Sequence, residues 1–365
     1  METALGRSDI VILTGGLGPT TDDLTKETAA LVMGKKLVTD PHSLERVEAY
    51  FKLRGIEMTE NNKKQALIPE GARVLDNDNG TAPGLILESA ERCMILLPGP
   101  PNEMKPLFET QVKPYLKALS PCVLYSRTVK LCGIGESKAA AMVQDMIDAQ
   151  ENPTIAPYAK TGEVHFRVTA QAESEKEGKK LVKPVVKELK RRFGQAVFAT
   201  REEKTLEKAL AGLLLEKKMT IAFAESCTGG MIAGRLVNVP GVSKAFGTGY
   251  VTYSNQAKRK LLGVKKSTLK QFGAVSAQTA KEMAQGAVFA SGADMAVSVT
   301  GIAGPDGGTQ SKPVGLVYIG CCIEGRTFVQ EYHFLGNREK IRESTVAAAL
   351  TFARSCLLEH TGGKG

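Results

Sequence analysis

Two three-layer α/β/α domains joined by a small α+β domain are the architecture this chain predicts. Three observations carry that reading. Apolar strands of the buried type run through glycine-rich loops into helices near both ends of the chain, at 9–33 and 219–238, the unit from which α/β sheets are built. Between them Val164, Phe166, Val168 and Ala170 alternate as a half-buried strand, and a lysine-rich amphipathic helix follows over 173–193. At 365 residues the chain exceeds one ordinary core. The expected divisions are 1–120, 127–200 and 203–362.

In order along the chain, Asp9 to Thr14 is the first strand. It enters Gly15-Gly16-Leu17-Gly18-Pro19-Thr20-Thr21-Asp22-Asp23, and a helix covers about Leu24 to Met33. A second helix spans Ser43 to Arg54. Ile86–Leu87 and Met94–Leu97 are later strands of what should be a parallel sheet, and Leu97 to Met104 is another loop-to-helix turn. In the middle part Arg127–Cys132 reads as a strand and Glu136–Ile147 as a helix. Gly133-Ile134-Gly135-Glu136 reads as that helix's cap, because it lacks the GxxG spacing of a nucleic-acid clamp. The last part opens with a helix carrying Leu206, Ala209, Leu210, Leu213 and Leu214 on one face. Strands at 219–224, 247–252, 294–299 and 314–322 follow, with helices at 230–238, 277–290 and 338–357.

Composition narrows the function. With 42% hydrophobic and 24% charged residues the chain reads as a soluble globular protein. No apolar run approaches the roughly 18–20 residues that span a bilayer, and the first residues carry no signal-peptide pattern. No membrane association and a cytoplasmic location are expected. The seven cysteines form no CxxC pair and the four histidines no ligand spacing, so neither a zinc site nor a disulfide framework is indicated. The net charge of +9 suits an anionic nucleotide ligand. Basic residues are not interleaved with aromatics and Trp is absent, so nucleic acid is not the expected partner.

Three segments of the last domain look built for one site. The first is Ala224-Glu225-Ser226-Cys227-Thr228-Gly229-Gly230, at a strand-to-helix junction where unpaired N–H groups could serve an oxyanion or phosphate. The second, Gly249 to Lys258, ends a strand in Tyr253 and a lysine. The third, Val299 to Gly308, runs from a strand into a glycine loop whose amides could face a phosphate. All three sit at strand ends, where open α/β sheets place ligands. A serine needs a base. No histidine is near in pattern, whereas Lys258 serves if burial lowers its pKa, with Tyr253 to position it. Glu225, Cys227, Thr228, Gly229, Gly230, Thr300, Gly301, Gly304, Asp306 and Gly307 are the expected substrate contacts. Cys227 is a rival nucleophile. The plainer alternative makes Ser226 a helix N-cap, Lys258 a surface charge and the glycines turns.

These residues carry a family resemblance. AESCTGG, GYVTYSNQAK, GAVS (273–276), VTGIAGPDGG and KPVGLVY (312–318) resemble the C-terminal domain of the CinA family, the competence/damage-inducible proteins, which is similar to stand-alone nicotinamide-nucleotide amidases. The resemblance implies cofactor-independent hydrolysis of nicotinamide mononucleotide to nicotinate mononucleotide and ammonia in pyridine-nucleotide recycling. It implies Ser226 as nucleophile and Lys258 as base, with Tyr253 and Thr300 nearby. TGGLGPTTDDLTKET (14–28), MTENNKKQALIPEGA (58–72), NDNGTAPG (77–84) and LLPGPPNEMKP (96–106) resemble the family's molybdopterin-binding-like domain. That domain is linked to metal-dependent hydrolysis of ADP-ribose-type pyrophosphates. There Gly15, Gly16 and Gly18 could cradle phosphate, Asp22 and Asp23 could hold a Mg²⁺-class ion (Asp23 foremost), and Asn79 and Gly80 would line the same pocket. The other reading makes Asp22, Asp23 and Thr25 helix-capping residues. Family members carry a further strand–helix–strand portion before the segment that begins here, so a truncated or degenerate domain with an exposed sheet edge is expected. The middle domain matches the family's KH-like linker in position and coarse pattern. The family's habits further imply a homodimer, and its competence association offers a non-catalytic role as a partner of the recombination machinery.

Overall fold

The structure is a computed structural model describing residues 1–89, 91–119 and 122–362. The chain forms two compact units, Met1–Pro121 and Cys122–Gly365. The first contains β1 (Ile10–Thr14), β2 (Leu37–Thr39), β3 (Leu67–Pro69), β4 (Arg73–Leu75), β5 (Gly84–Glu88) and β6 (Cys93–Leu97). Its main sheet runs β1-β6-β5-β4, and β2 and β3 make a separate ladder. Only β1 and β6 are parallel; β5 is antiparallel to both β6 and β4. The expectation of a parallel sheet is corrected here, and the reason is chain length. Four residues separate β5 from β6, too few for the crossover of a dozen or more that a parallel return requires. Leu85, Leu87, Met94 and Leu96 pack with Ala29 of the helix Thr25–Val32 on one face. Ile86, Ile95 and Leu97 pack with Leu107 and Val112 on the other. Leu5, from the short helix Glu2–Leu5, joins the first of these clusters. Among the described residues β1 is an edge strand, with Ile10 and Ile12 part-exposed.

The second unit begins with β7 (Val123–Cys132), β8 (Thr154–Lys160), β9 (Glu163–Ala172) and β10 (Val197–Ala199), ordered β10-β7-β9-β8 and wholly antiparallel. The helix Glu175–Phe193 lays Val182, Leu189 and Phe193 into a core with Phe166 and Val168. The helix expected over Glu136–Ile147 is instead two pieces, Glu136–Ala141 and Gln144–Asp148. Val143 between them leaves helical geometry (φ −128°) and is fully buried in that core, so packing outweighs the local helical pattern.

A five-stranded sheet completes the unit: β11 (Ile221–Glu225), β12 (Phe246–Val251), β13 (Met295–Gly301), β14 (Leu316–Ile323) and β15 (Arg326–His333), in the order β12-β11-β13-β14-β15. The first three are parallel and the last two antiparallel. β15 was not expected from the pattern; Glu324 and Gly325, both at positive φ, close a tight hairpin into it. The carboxyl ends of β11 and β13 point Ser226 and the Gly301–Gly308 loop to one side of the sheet, the usual ligand side of an open α/β fold. Among the described residues no helix is long and apolar enough to cross a membrane.

Two helices missed in the sequence, Asn255–Leu262 and Lys266–Phe272, pack beside Ala277–Ser291. Gly286 is where the approach is tightest: a Cβ there would lie 1.8 Å from the Leu262 carbonyl oxygen. Replacing Gly286 by Ala should therefore push apart the helix that carries Lys258. We expect a loss of about 1–3 kcal/mol in denaturant unfolding, the range for an overpacked core; unchanged stability would contradict this packing.

Candidate active site

Glu225, the last residue of β11, is buried, and its carboxylate faces the following helix, Met231–Val237. Oε2 accepts from the amides of Gly230 (3.0 Å) and Ile232 (3.1 Å), and Oε1 from Ala233 (2.9 Å). A carboxylate at a helix N-terminus satisfies both the orphan donors and the helix dipole. This corrects the expectation that the start of this helix supplies donors to a reacting oxygen, because those donors are already taken. Glu225 is a support of the turn rather than a free substrate contact. The N-cap is Gly230 (φ 93°), not Ser226, so the plainer reading of that serine does not hold.

Ser226 stands at the top of β11, its amide donating to the Val299 carbonyl of β13 (3.1 Å). Lys258 reaches it from the helix Asn255–Leu262, whose N-cap Ser254 accepts from the Ala257 amide (3.0 Å). The Nζ–Oγ distance is 3.0 Å, and the two residues are only 1% and 8% exposed. Nζ also lies 2.7 Å from the Thr252 carbonyl oxygen and 3.4 Å from that of Tyr253. Among the described residues no carboxylate faces the amine, so burial, only partly opposed by the neighbouring Cys227 sulfur, pulls its pKa down to about 8. A neutral amine has two N–H donors and one lone pair. Two carbonyls and one hydroxyl match that set. Burial pushes the Cys227 thiol the other way, up to about 11, which keeps it protonated and makes it a poor rival to Ser226.

The remaining expected residues are placed as follows. Tyr253 meets the lysine through its backbone carbonyl; its hydroxyl instead accepts from Arg338 (3.1 Å). Thr300 is buried within β13 and donates to the Ala274 carbonyl (2.7 Å), holding the 273–276 segment. Gly301 allows β14 to approach closely, since a Cβ there would meet Val317 and the Leu316 carbonyl. Gly304 (φ 78°) offers its carbonyl to Arg338 (2.7 Å), Gly307 turns the loop at φ 87°, and Asp306 is exposed. Gly229 (φ 61°) and Gly230 complete the nucleophile turn, while the Thr228 hydroxyl is buried and unpartnered. Among the described residues the Thr228 amide has no acceptor, and the Cys227 amide meets only its own sulfur. Sequence reasoning missed Arg338 and Arg342. Arg342 donates to the Cys227 and Thr228 carbonyls, both at 3.0 Å, and the only signal for either residue is a basic first turn on the last helix.

In the first unit Gly15 (φ 88°) and Gly16 (φ 71°) form a tight turn, and Gly15 lies against Gly99. A Cβ on Gly18 would strike Asp23. Asp22 and Asp23 both accept from the Thr20 hydroxyl, and Asp23 accepts from its amide as well (3.0 Å). Those bonds hold the Asp23 carboxyl below its ordinary range. The pair thus closes the turn before the helix and does not cap it, since the N-cap there is Leu24. Asn79 donates through its amide to Asn77 (3.0 Å), and Gly80 lies against Glu103. No hydrogen bond joins these two to Asp22 or Asp23 among the described residues. Among the described residues no three His, Cys, Asp or Glu side chains converge as a metal site.

Three family models match consecutive parts of the chain: a probable molybdopterin binding domain over 1–118, the KH domain of damage-inducible protein CinA over 126–199, and the CinA C-terminal domain over 203–357. A putative competence-damage inducible protein of Clostridium beijerinckii is 52% identical over 98% of this chain and 87% of its own length. The chain belongs to the CinA family. A CinA-like protein of Dictyoglomus turgidum is 51% identical over 98% of this chain and 87% of its own. Among solved structures, competence/damage inducible protein CihA from Agrobacterium tumefaciens matches at 45% identity, covering 40% of this chain and 90% of that one, with a TM-score of 0.40. A CinA superfamily protein from Enterobacter cloacae matches at 34% identity, covering 42% and 90%, with a TM-score of 0.41. The molybdopterin-binding match places the N-terminal domain at residues 1–118, and its core assembles around Leu85 and Met94 with Leu5 included. The CinA C-terminal match spans every residue of the site just described, from Glu225 to Arg342.

Removing the carboxylate that caps the nucleophile turn tests this construction. Glu225→Ala leaves three amide donors without an acceptor, all of them at least part-buried. It should cost about 3 kcal/mol or more, at roughly 1–3 kcal/mol per orphaned buried group. Chemical denaturation would measure it, and a loss under 1 kcal/mol would show that these amides find other partners.

Proposed function

We propose that this CinA-family protein hydrolyses the carboxamide of nicotinamide mononucleotide, giving nicotinate mononucleotide and ammonia. The observation that carries the reading is the buried 3.0 Å contact between Lys258 Nζ and Ser226 Oγ, with no carboxylate beside the amine among the described residues. The motifs shared with nicotinamide-nucleotide amidases supply the substrate, and the net positive charge suits its phosphate.

The chemistry follows from those two side chains. Neutral Lys258 accepts the Ser226 hydroxyl proton as Oγ attacks the carboxamide carbon. The amides of Cys227 and Thr228 receive the resulting oxyanion, and each well-placed donor of this kind is worth about 3–4 kcal/mol. The carbon–nitrogen bond breaks as the Lys258 ammonium returns its proton to the leaving nitrogen, so ammonia departs and an ester remains on Ser226. Water then attacks that ester. Lys258 takes the water's proton and passes it to Oγ, freeing the acid. No metal or organic cofactor enters these steps.

Ammonia release from nicotinamide mononucleotide tests the assignment. Ser226→Ala and Lys258→Met should each lower kcat at least a thousand-fold with the fold intact. Near wild-type turnover in either removes that residue from the mechanism. The pH dependence has a definite sign. Below about 8 the amine is an ammonium and cannot accept a proton, so kcat/KM should rise with pH and level off above that value. A flat profile between pH 6 and 9 would exclude Lys258 as the base.

A further inference from the structure

The last helix, Arg338–Gly362, holds the site from its first turns. Arg342 Nε and Nη2 donate to the Cys227 and Thr228 carbonyls. A trans peptide is planar, with its C=O and N–H pointing in opposite directions. Fixing the Cys227 carbonyl therefore fixes the direction of the Thr228 N–H. One turn earlier Arg338 ties the Gly304 carbonyl to the Tyr253 hydroxyl.

The same stretch of helix rests on the middle domain. Lys340 Nζ donates to the Thr161 hydroxyl in the β8–β9 turn (2.7 Å). The next residue, Gly162 (φ 73°), lies so close that a Cβ on it would sit 2.5 Å from that of Ala347. Further along, Arg354 donates to the Gln195 and Val197 carbonyls (2.7 and 2.9 Å). The helix on the far side of the nucleophile turn reaches the same hairpin: Arg235 pairs with Glu163 (3.3 Å) and with Glu207 (2.9 Å). Both helices that grip the Ser226 turn are thus anchored on Thr161–Glu163.

We propose that the middle domain is a brace for the nucleophile turn: its β8–β9 turn seats the last helix so that Arg342, a positioning residue, aims the Thr228 amide at the developing oxyanion. The proposal rests on the Ser226–Lys258 reading and adds a role for a domain that reading leaves idle. It predicts that the reactivity of Ser226 depends on contacts that never touch substrate.

The test uses the full-length protein and phenylmethanesulfonyl fluoride, followed by intact mass. Ser226 Oγ attacks sulfur, fluoride leaves, the hydroxyl proton passes to Lys258, and a sulfonyl ester remains. The wild type should label at Ser226. Arg342→Ala should label at least ten-fold more slowly, and Arg342→Lys should recover part of the rate. Gly162→Ala, which forces the hairpin away from Ala347, should label several-fold more slowly while the melting transition stays cooperative. Wild-type rates in Arg342→Ala or in Gly162→Ala would overturn the brace and leave the serine–lysine reading standing. If Arg342→Ala does not fold, the Gly162→Ala rate decides. Failure of the wild type to label would remove the serine–lysine reading, and the brace with it.

Discussion

The site depends on a lysine amine held out of water. An ammonium of this kind is normally exposed or paired, because burial without a partner acts against its charge. Here two backbone carbonyls and one hydroxyl surround Lys258, and among the described residues no carboxylate offsets the desolvation. That choice has a thermodynamic sign. The folded pKa lies below the unfolded value of 10.5, so the folded state binds the proton less well than the unfolded state between about 8 and 10.5. This group's contribution to stability therefore improves as pH rises through that window, and its cost is fully present below about 8. The surrounding packing offsets the cost: Ser254 caps the lysine's helix, and Gly286 lets the neighbouring helix close to backbone contact.

A second buried charge divides the labour at the nucleophile turn. Glu225 takes the amides of Gly230, Ile232 and Ala233, so the turn is rigid without any help from substrate. The pair of amides next to Ser226, at Cys227 and Thr228, takes no acceptor from another described residue, and Arg342 holds the carbonyls of those same two residues. Preorganisation of donors is what makes such a site effective, since no reorganisation is needed when charge develops. One carboxylate, one guanidinium and one buried amine thus hold different parts of a single turn.

Much of this was legible in the sequence. The strand ending at Glu225, the serine after it and the lysine at 258 follow from apolar runs breaking into glycines and hydroxyls, a local signal. The fold class was equally legible, although the direction of β5 was not, because strand direction follows from connection length rather than pattern. Arg338 and Arg342 were illegible, since a basic first turn on a helix looks like solvated surface until the helix is docked. Glu225 was read as a substrate contact because its neighbours are chemical, and only the positions of the three amides reveal its structural role. Cys227 looked like a rival to Ser226 on residue type alone; its burial separates them. The helix Asn255–Leu262 could have been found from Ser254 at its start and Gly263 at its end, a capping pair that the strand-like approach to it obscured.

The central claim is that burial turns Lys258 into a base near neutral pH. The most direct measurement is an NMR titration of the lysine side-chain resonances, with Lys258 assigned by its loss in Lys258→Met. The account predicts that the resonance assigned to Lys258 titrates near 8. A Lys258 midpoint at the ordinary 10.5 would contradict it, whatever the protein turned over.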